Sequence, residues 1–226
     1  MKILNDMNTD YHVHSCTFSD WLNTIEELVQ YAKKIWLREI AITDHSSAMT
    51  KKLSENFWFY PNWARYNVVD WKNVHNDVEV IFWVEADLLN ENWDICTDIQ
   101  GFENDFIVLA AHSYTYQSDA KTVTDWLVKA IERHHTKIKF IAHPHDKFQA
   151  PEMDIEKLVK VANKYNIPLE FNWLTFKRES HNQIDWLNYI LANANEIYIN
   201  SDAHTLTDLE NLKVEQYKYL SENGYI

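Results

Sequence analysis

Residues 9–14 read Thr9-Asp10-Tyr11-His12-Val13-His14, a short run of strand-forming residues that carries two histidines near its end. Side chains two residues apart in a strand point to the same face, so His12 and His14 can converge on one metal ion. Taken alone, such a pair fits a half-buried strand without a metal equally well. A helix is predicted soon afterwards, because Thr24 and Glu27 form a capping-box pattern ahead of an apolar stripe.

The same alternation of strand and helix continues along the whole chain. Strands are predicted over 9–14, 39–43, 79–84, 106–111, 139–142, 168–171 and 196–200. Helices are predicted over 24–35, 122–134, 155–165, 182–192 and 206–223, with a shorter one over 64–75. Neither a repeat nor a Pro/Ser-rich linker interrupts the series. We therefore expect one α/β domain with a parallel sheet or barrel, whose functional groups follow the carboxyl ends of the strands.

Composition narrows the class of protein. The chain has 226 residues, of which 46% are hydrophobic, so a disordered or fibrous protein is excluded. Its 21 basic against 34 acidic residues give a net charge of −13, which disfavours long nucleic acids as partners. No apolar run suits a membrane span or a signal peptide, and we expect a cytoplasmic protein without membrane contact. Cys16 and Cys96 do not indicate a disulfide framework, and the oligomeric state is left open.

Six of the seven predicted strands lead into a histidine or a carboxylate. The second ends in Thr43-Asp44-His45; adjacent residues of a strand cannot both face one ion, so His45 is expected as a ligand and Asp44 as its orienting partner. The third ends in Glu85 among apolar residues, where a buried carboxylate needs a cation or a hydrogen-bonding network.

Candidate metal ligands collected in this way number nine: His12, His14, Asp20, His45, Glu85, His112, His143, Asp202 and His204. A tetrahedral zinc site takes four ligands, so nine are too many for one ion. Two or three divalent ions fit the number, with Glu85 bridging. Mixed imidazole and carboxylate ligation suits Zn, Mn or Fe without choosing among them.

These residues lie in blocks that resemble the polymerase and histidinol phosphatase (PHP) family. The opening block contains His12-Val13-His14, Asp20 and Ala41-Ile42-Thr43-Asp44-His45. The later blocks follow in the family's order: Val84-Glu85-Ala86-Asp87, Ala111-His112-Ser113, Ala142-His143-Pro144, Glu170-Phe171-Asn172 and Ser201-Asp202-Ala203-His204. The resemblance covers almost the whole chain, so residues 1–226 are expected to form a single PHP domain.

The resemblance implies a distorted (β/α)7 TIM-like barrel with a trinuclear metal centre bound by the nine residues above. Asp20 stands where some members carry His. It also implies phosphoesterase chemistry, in which a metal-bound hydroxide attacks a small phosphomonoester, with histidinol phosphate as the leading substrate.

Further site residues are less constrained by the sequence. Lys177 and Arg178, after the sixth predicted strand, are candidates for binding the substrate phosphate, although they suit a solvated basic loop equally well. His145 or Asp146 is a candidate for protonating the leaving group, and loop-stabilising hydrogen bonds are an equal alternative.

Two other functions compete with a small-molecule phosphatase. A nuclease or nucleotide phosphatase of the same family is one, although the acidic composition counts against long polymers. A non-catalytic, metal-stabilised regulatory domain is the other, and the complete set of nine candidate ligands argues against it. Metal analysis together with a phosphatase panel separates the three.

Glycine is unusually scarce in this sequence, with 2 glycines beside 10 tryptophans. Ordinary usage would give about 16 glycines. Five tryptophans stand at turn-like positions or where the family signature has glycine: Trp21, Trp36, Trp83, Trp93 and Trp173. Bulky side chains are poorly suited to a positive φ. We hypothesise that several of them are glycines in the native protein, encoded by UGA codons that were translated as tryptophan.

Overall fold

A computed structural model describes residues 1–57, 70–104, 106–116, 118–144, 153–172 and 181–226. The Ile25–Lys34 helix shows how the sequence directs local structure. The Thr24 hydroxyl accepts from the Glu27 backbone N–H, and the Glu27 carboxylate accepts from the Thr24 N–H, which completes the predicted capping box. Its apolar stripe lies against the strands, with Leu28 and Val29 fully buried.

The helices of the described residues are α1 (Ile25–Lys34), α2 (Ser47–Phe57), α3 (Ala120–His134), α4 (Ile155–Tyr165), α5 (His181–Asn193) and α6 (Leu206–Glu222). The strands are β1 (Lys2–Ile3), β2 (Thr9–Val13), β3 (Glu39–Ile42), β4 (Glu79–Phe82), β5 (Val84–Leu88), β6 (Ile95–Cys96), β7 (Asp98–Ile99), β8 (Phe102–Glu103), β9 (Ile107–Ala110), β10 (Ile138–Ile141), β11 (Leu169–Asn172) and β12 (Glu196–Asn200). None of these helices has the length and apolar character needed to span a membrane.

Parallel strands form a distorted barrel with seven positions. Its order is β2, β3, the interrupted strand β4–β5, β9, β10, β11 and β12. The expected distorted (β/α)7 barrel in a mixed α/β domain is thereby confirmed. Strand residues such as Ile107, Val108 and Leu109 are fully buried, as expected for parallel strands covered on both faces.

The barrel is distorted because its backbone pairing is divided between two sheets. The chain changes partner at Trp83: β4 pairs with β3, whereas β5 pairs with β9. Single backbone bridges span the two seams, one between His45 and Glu85 and the other between Val13 and Ala203. Both seams therefore lie at residues adjacent to, or among, the candidate metal ligands.

One sequence prediction about secondary structure was wrong, and one helix was missed. Residues 70–75, the described part of the predicted 64–75 helix, are not helical, because the Asn73 side chain accepts from the His75 and Asn76 N–H groups and donates to the Val78 carbonyl. Such local side-chain bonds compete with a helix. Helix α2 was not predicted; it lacks a long apolar stripe and buries Met49, Thr50 and Leu53.

Trp36 occupies the end of α1 in a left-handed conformation, with φ of 66°. Its N–H donates to the Lys33 carbonyl, and the Leu37 N–H donates to the Ala32 carbonyl. This is the Schellman pattern, in which glycine is usual. The same pair of bonds closes α4 at Asn166 and α6 at Gly224, with φ of 54° and 74°. Trp36 thus stands where equivalent helix ends carry Asn and Gly.

Trp93 is the second left-handed tryptophan, with φ of 65° in the turn between β5 and β6. Its N–H donates to the Asn90 carbonyl, and the Leu89 N–H donates to the Asp94 carbonyl across the turn. A turn of this kind ends in a left-handed residue that is typically glycine.

The other three candidate positions behave differently. Trp21 is buried, and its ring stacks on His204 with centroids 5.7 Å apart, without a positive φ. Trp83 also lacks a positive φ and stacks on Tyr11. Trp173 lies outside the described residues. The backbone conformation therefore favours glycine at Trp36 and Trp93. The codon hypothesis stays a prediction.

We expect Trp36→Gly to stabilise the protein by about 1 kcal/mol, because it removes the steric cost of a left-handed side chain. Little burial is lost, since Trp36 is 77% exposed. Chemical unfolding of the purified variants measures the free energy of unfolding. Trp71→Gly is the matched control: Trp71 packs on Phe82 without a positive φ and donates to Glu26, so its loss should destabilise. A Trp36→Gly variant less stable than the parent would contradict the argument from the backbone. UGG codons at Trp21, Trp36 and Trp83 would contradict the codon hypothesis.

Candidate metal centre

The nine candidate ligands meet at one end of the barrel. His12 lies in β2 and His14 just beyond it, and the others follow β3, β9, β10 and β12 or lie in the loop before α1. Glu85 is the exception, because it stands inside β5 rather than after a strand, next to the change of strand partner at Trp83. The carboxyl ends of the parallel strands therefore place all nine side chains around one interior space.

Glu85 lies at the middle of this space and is completely buried. Its carboxylate oxygens face the ring nitrogens of five histidines. The distances are 2.8 Å to His45 Nδ1, 2.8 Å to His143 Nε2, 3.4 Å to His12 Nε2, 3.5 Å to His112 Nε2 and 3.6 Å to His14 Nε2. A carboxylate shared in this way is suited to bridging between ions.

Two further carboxylates complete the arrangement. Asp202 Oδ1 lies 3.1 Å from His14 Nε2 and 3.4 Å from His12 Nε2. Asp20 Oδ1 lies 3.3 Å from His45 Nε2 and 3.5 Å from His204 Nε2. Asp20 lies in the loop before α1, and its side chain is turned toward these two histidines.

Four of the histidine rings are fixed from behind through Nδ1. His12 Nδ1 is 2.9 Å from Glu170, His112 Nδ1 is 2.6 Å from Asp87, and His14 Nδ1 is 3.0 Å from the Ser19 hydroxyl. His204 Nδ1 is 2.8 Å from the Asp202 carbonyl. A hydrogen bond at Nδ1 leaves Nε2 as the nitrogen that faces the interior, which is how metal-binding imidazoles are usually oriented.

The donor set fits divalent metal ions. Four groups of three side chains each bring one nitrogen or oxygen atom per residue within 4.8 Å of one another. The groups are His14, His45 and His204; His12, His143 and Asp202; His12, His14 and Glu85; and His45, Glu85 and His112. Among the described residues, His12 Nε2 is buried without a hydrogen-bond partner, and His45 Nδ1 and Glu85 Oε2 lie 2.8 Å apart without being aligned for a hydrogen bond. Coordinated ions would relieve this costly arrangement.

Burial and mutual charge shift the pKa values of the cluster strongly. Burial opposes protonation of His12, but Glu170, Asp202 and Glu85 outweigh it and hold its pKa well above the ordinary value. The pKa of Glu85 is well below its ordinary value despite burial, because His112 and His12 stabilise the carboxylate. Burial and the neighbouring His45 lower the pKa of His14 to about 3. In this site, carboxylates therefore favour protonation of the imidazoles beside them, and neighbouring imidazoles disfavour it.

Two of the nine residues adopt backbone conformations that favour glycine. The φ of His143 is 27° and that of Asp202 is 49°. Each is the second residue after a strand, β10 and β12 respectively. Strain of this kind persists where surrounding contacts overdetermine it, and it concentrates at functional sites.

The remaining predicted residues are placed as follows. Asp44 is buried and accepts from both the backbone N–H and the hydroxyl of Ser15, at 2.5 and 2.6 Å, so its carboxylate anchors the loop after β2. His145, Asp146, Lys177 and Arg178 lie outside the described residues.

Sequence reasoning gave no role to Asp87 and Glu170, the two buried carboxylates behind His112 and His12. Both stand within quoted motif blocks. A carboxylate inside an otherwise apolar strand is the pattern that identified Glu85. Asp87 and Glu170 show the same pattern.

The sequence is similar to those of several known proteins. The PHP domain family model matches residues 10–172. A probable phosphatase from Shewanella loihica is 30% identical over 172 residues, which cover 74% of this chain and 64% of that protein. The DNA polymerase/3'-5' exonuclease PolX of Bacillus subtilis is 27% identical over 93% of this chain, but the match spans only 36% of that protein.

The solved structures include a similar fold. Histidinol phosphate phosphatase from Lactococcus lactis, crystallised with zinc, L-histidinol and phosphate, superposes with a TM-score of 0.57. The superposition covers 92% of this chain and 91% of that chain, at 13% identity, and so supports the fold alone. Because the family model matches most of the chain, including seven of the nine converging side chains, this protein belongs to the PHP domain family.

Proposed function

We propose that this protein is a metal-dependent phosphoesterase that hydrolyses a small phosphomonoester. The observation that carries the proposal is the buried Glu85 carboxylate surrounded by five histidines, with Asp202 and Asp20 beside them. A metal-free protein gains nothing evident from concentrating these groups, whereas two or three divalent ions would satisfy them. Zn, Mn and Fe all suit the donor set.

The nine side chains would hold these ions in overlapping sets, with Glu85 shared between them. When bound, such ions polarise phosphoryl oxygens, lower the pKa of water and stabilise the leaving oxygen in an in-line displacement. The chain's own contribution is to hold the rings in place through Glu170, Asp87 and Ser19 and to bury the charged centre. The local charge of such a centre would allow a protein of net charge −13 to bind an anion.

Histidinol phosphate is the substrate that we favour. Its support is the Lactococcus lactis structure, which shares the fold and was crystallised with L-histidinol and phosphate.

We propose Lys177 and Arg178 as phosphate-binding residues and His145 as the proton donor, all on sequence grounds. Asp44 is proposed to act indirectly, by holding the loop that follows His14. A cytoplasmic location likewise stays a prediction.

A nuclease or nucleotide phosphatase is the second candidate, supported by the similarity to the Bacillus subtilis PolX protein. The matched part of that protein is about a third of its length, so its activity does not transfer directly. A non-catalytic, metal-stabilised domain is the third candidate, against which the complete donor set argues.

We expect purified protein loaded with Mn, Zn or Fe to hydrolyse phosphomonoesters, and to lose the activity on chelation and regain it on metal addition. The assay compares histidinol phosphate, nucleoside monophosphates, a phosphodiester and single-stranded DNA. Metal content is measured in parallel. Hydrolysis confined to the diester or to DNA would favour the nuclease, and a metal-loaded protein inactive on every ester would favour the non-catalytic domain.

We expect His143→Ala to lower turnover at least about 100-fold and to reduce the metal content, because removing a ligand should cost at least as much as removing one of its hydrogen-bond partners. His135→Ala is the matched control, since His135 is exposed at the end of α3, away from the cluster. Circular dichroism should show both variants folded. Unchanged turnover with full metal content in His143→Ala would refute its assignment as a ligand.

A further inference from the structure

Glu170 is a buried carboxylate that lies outside the nine candidate ligands. It stands in β11, paired in register with Tyr198 of β12, and its side chain is completely buried. Three donors converge on its two oxygens. Oε1 is 2.9 Å from both His12 Nδ1 and Asn200 Nδ2, and Oε2 accepts from the His143 backbone N–H at 2.8 Å.

We propose that Glu170 is the positioning residue that fixes two of the ligands at once, His12 through its ring and His143 through its backbone. This inference rests on the proposed metal centre and extends it to a residue outside the nine candidate ligands. His12 lies in β2 and His143 follows β10, so one carboxylate in β11 is bonded to ligands from two other parts of the barrel.

The His12 contact fixes which ring nitrogen faces the interior. A carboxylate only accepts hydrogen bonds, so His12 Nδ1 must carry the proton in that bond. The lone pair available for a metal ion is then on Nε2, which lies 3.4 Å from both Glu85 and Asp202. A carboxylate hydrogen-bonded to Nδ1 also makes the imidazole a stronger donor to a metal.

The His143 contact stabilises an unfavourable backbone. Residues other than glycine rarely adopt the φ of 27° found at His143, and the N–H of this residue donates to the Glu170 carboxylate. The resulting conformation brings His143 Nε2 to 2.8 Å from Glu85. Without the Glu170 acceptor, the N–H would lose this hydrogen bond, and the His143 backbone would be expected to move away from its positive φ.

The chemistry of the three donors requires a carboxylate, and glutamine cannot replace it. An amide of the same shape has one oxygen and one NH2 group. If the oxygen faces His12 and Asn200, the NH2 opposes the His143 N–H; if it faces His143, the NH2 opposes the protonated His12 Nδ1. Each orientation places two donors against each other. Asp87, by contrast, contacts only His112 among the nine and so does not fix two ligands at once.

The decisive experiment compares Glu170→Gln with the parent in zinc affinity, measured by chelator competition. We expect affinity to fall about 10- to 100-fold, the usual effect of losing a hydrogen-bond partner of a ligand. Gln216→Leu is the matched control. Gln216 is buried and donates to the Phe171 and Asn200 carbonyls without touching any of the nine, so this variant should lose thermal stability while keeping zinc affinity. Parent-like zinc affinity in a folded Glu170→Gln variant would overturn the proposal.

A second measurement on the parent protein does not depend on the variant folding. In protein substituted with ¹¹³Cd and labelled with ¹⁵N, His12 should show one-bond coupling to cadmium through Nε2. Coupling through Nδ1, or none, would overturn the role of Glu170. Both readouts concern metal binding, so an absence of phosphatase activity alone would count against the proposed function while leaving this inference standing.

Discussion

Burying the Glu85 carboxylate at the centre of a barrel is the constraint on which the rest of the structure depends. A buried charge is tolerated only when it is compensated, and here five imidazoles perform that task. Imidazoles packed this closely must in turn be oriented, which explains Glu170, Asp87 and Ser19 behind them. The site is thus built in layers, each of which satisfies the polar demands of the one inside it.

The fold positions these layers of side chains mainly with regular strands. Parallel strands direct successive side chains to a common end, and most of the nine side chains stand at or beyond the last residue of a strand. The irregularities beside the site are the interruption of β4–β5 and the positive φ of His143 and Asp202. The glycine-like backbone at Trp36 and Trp93 is of another kind, because it lies at a helix end and a hairpin turn rather than among the converging side chains.

Much of the fold and the membership of the site were open to sequence reasoning, since short apolar strands ending in His, Asp or Glu leave a strong local pattern. Glu85 was placed after a strand because the break at Trp83 hid the continuation of that strand as β5. The prediction of a 64–75 helix was wrong over its described part, because the Asn73 side chain accepts hydrogen bonds from the backbone N–H groups of His75 and Asn76. Glu170 escaped notice because its importance arises from long-range contacts with His12 and His143, which local periodicity does not encode.

The two seams of the barrel have a consequence for how the molecule comes apart. Single bridges at His45–Glu85 and Val13–Ala203 join the smaller sheet, which carries His12, to the larger sheet, which carries Glu85 and leads into Asp202. A slight rotation of one sheet against the other would disperse the converging side chains while both sheets kept their own ladders intact. The end of the barrel that carries the converging side chains is therefore also the place where backbone pairing between its two sheets is reduced to single bridges.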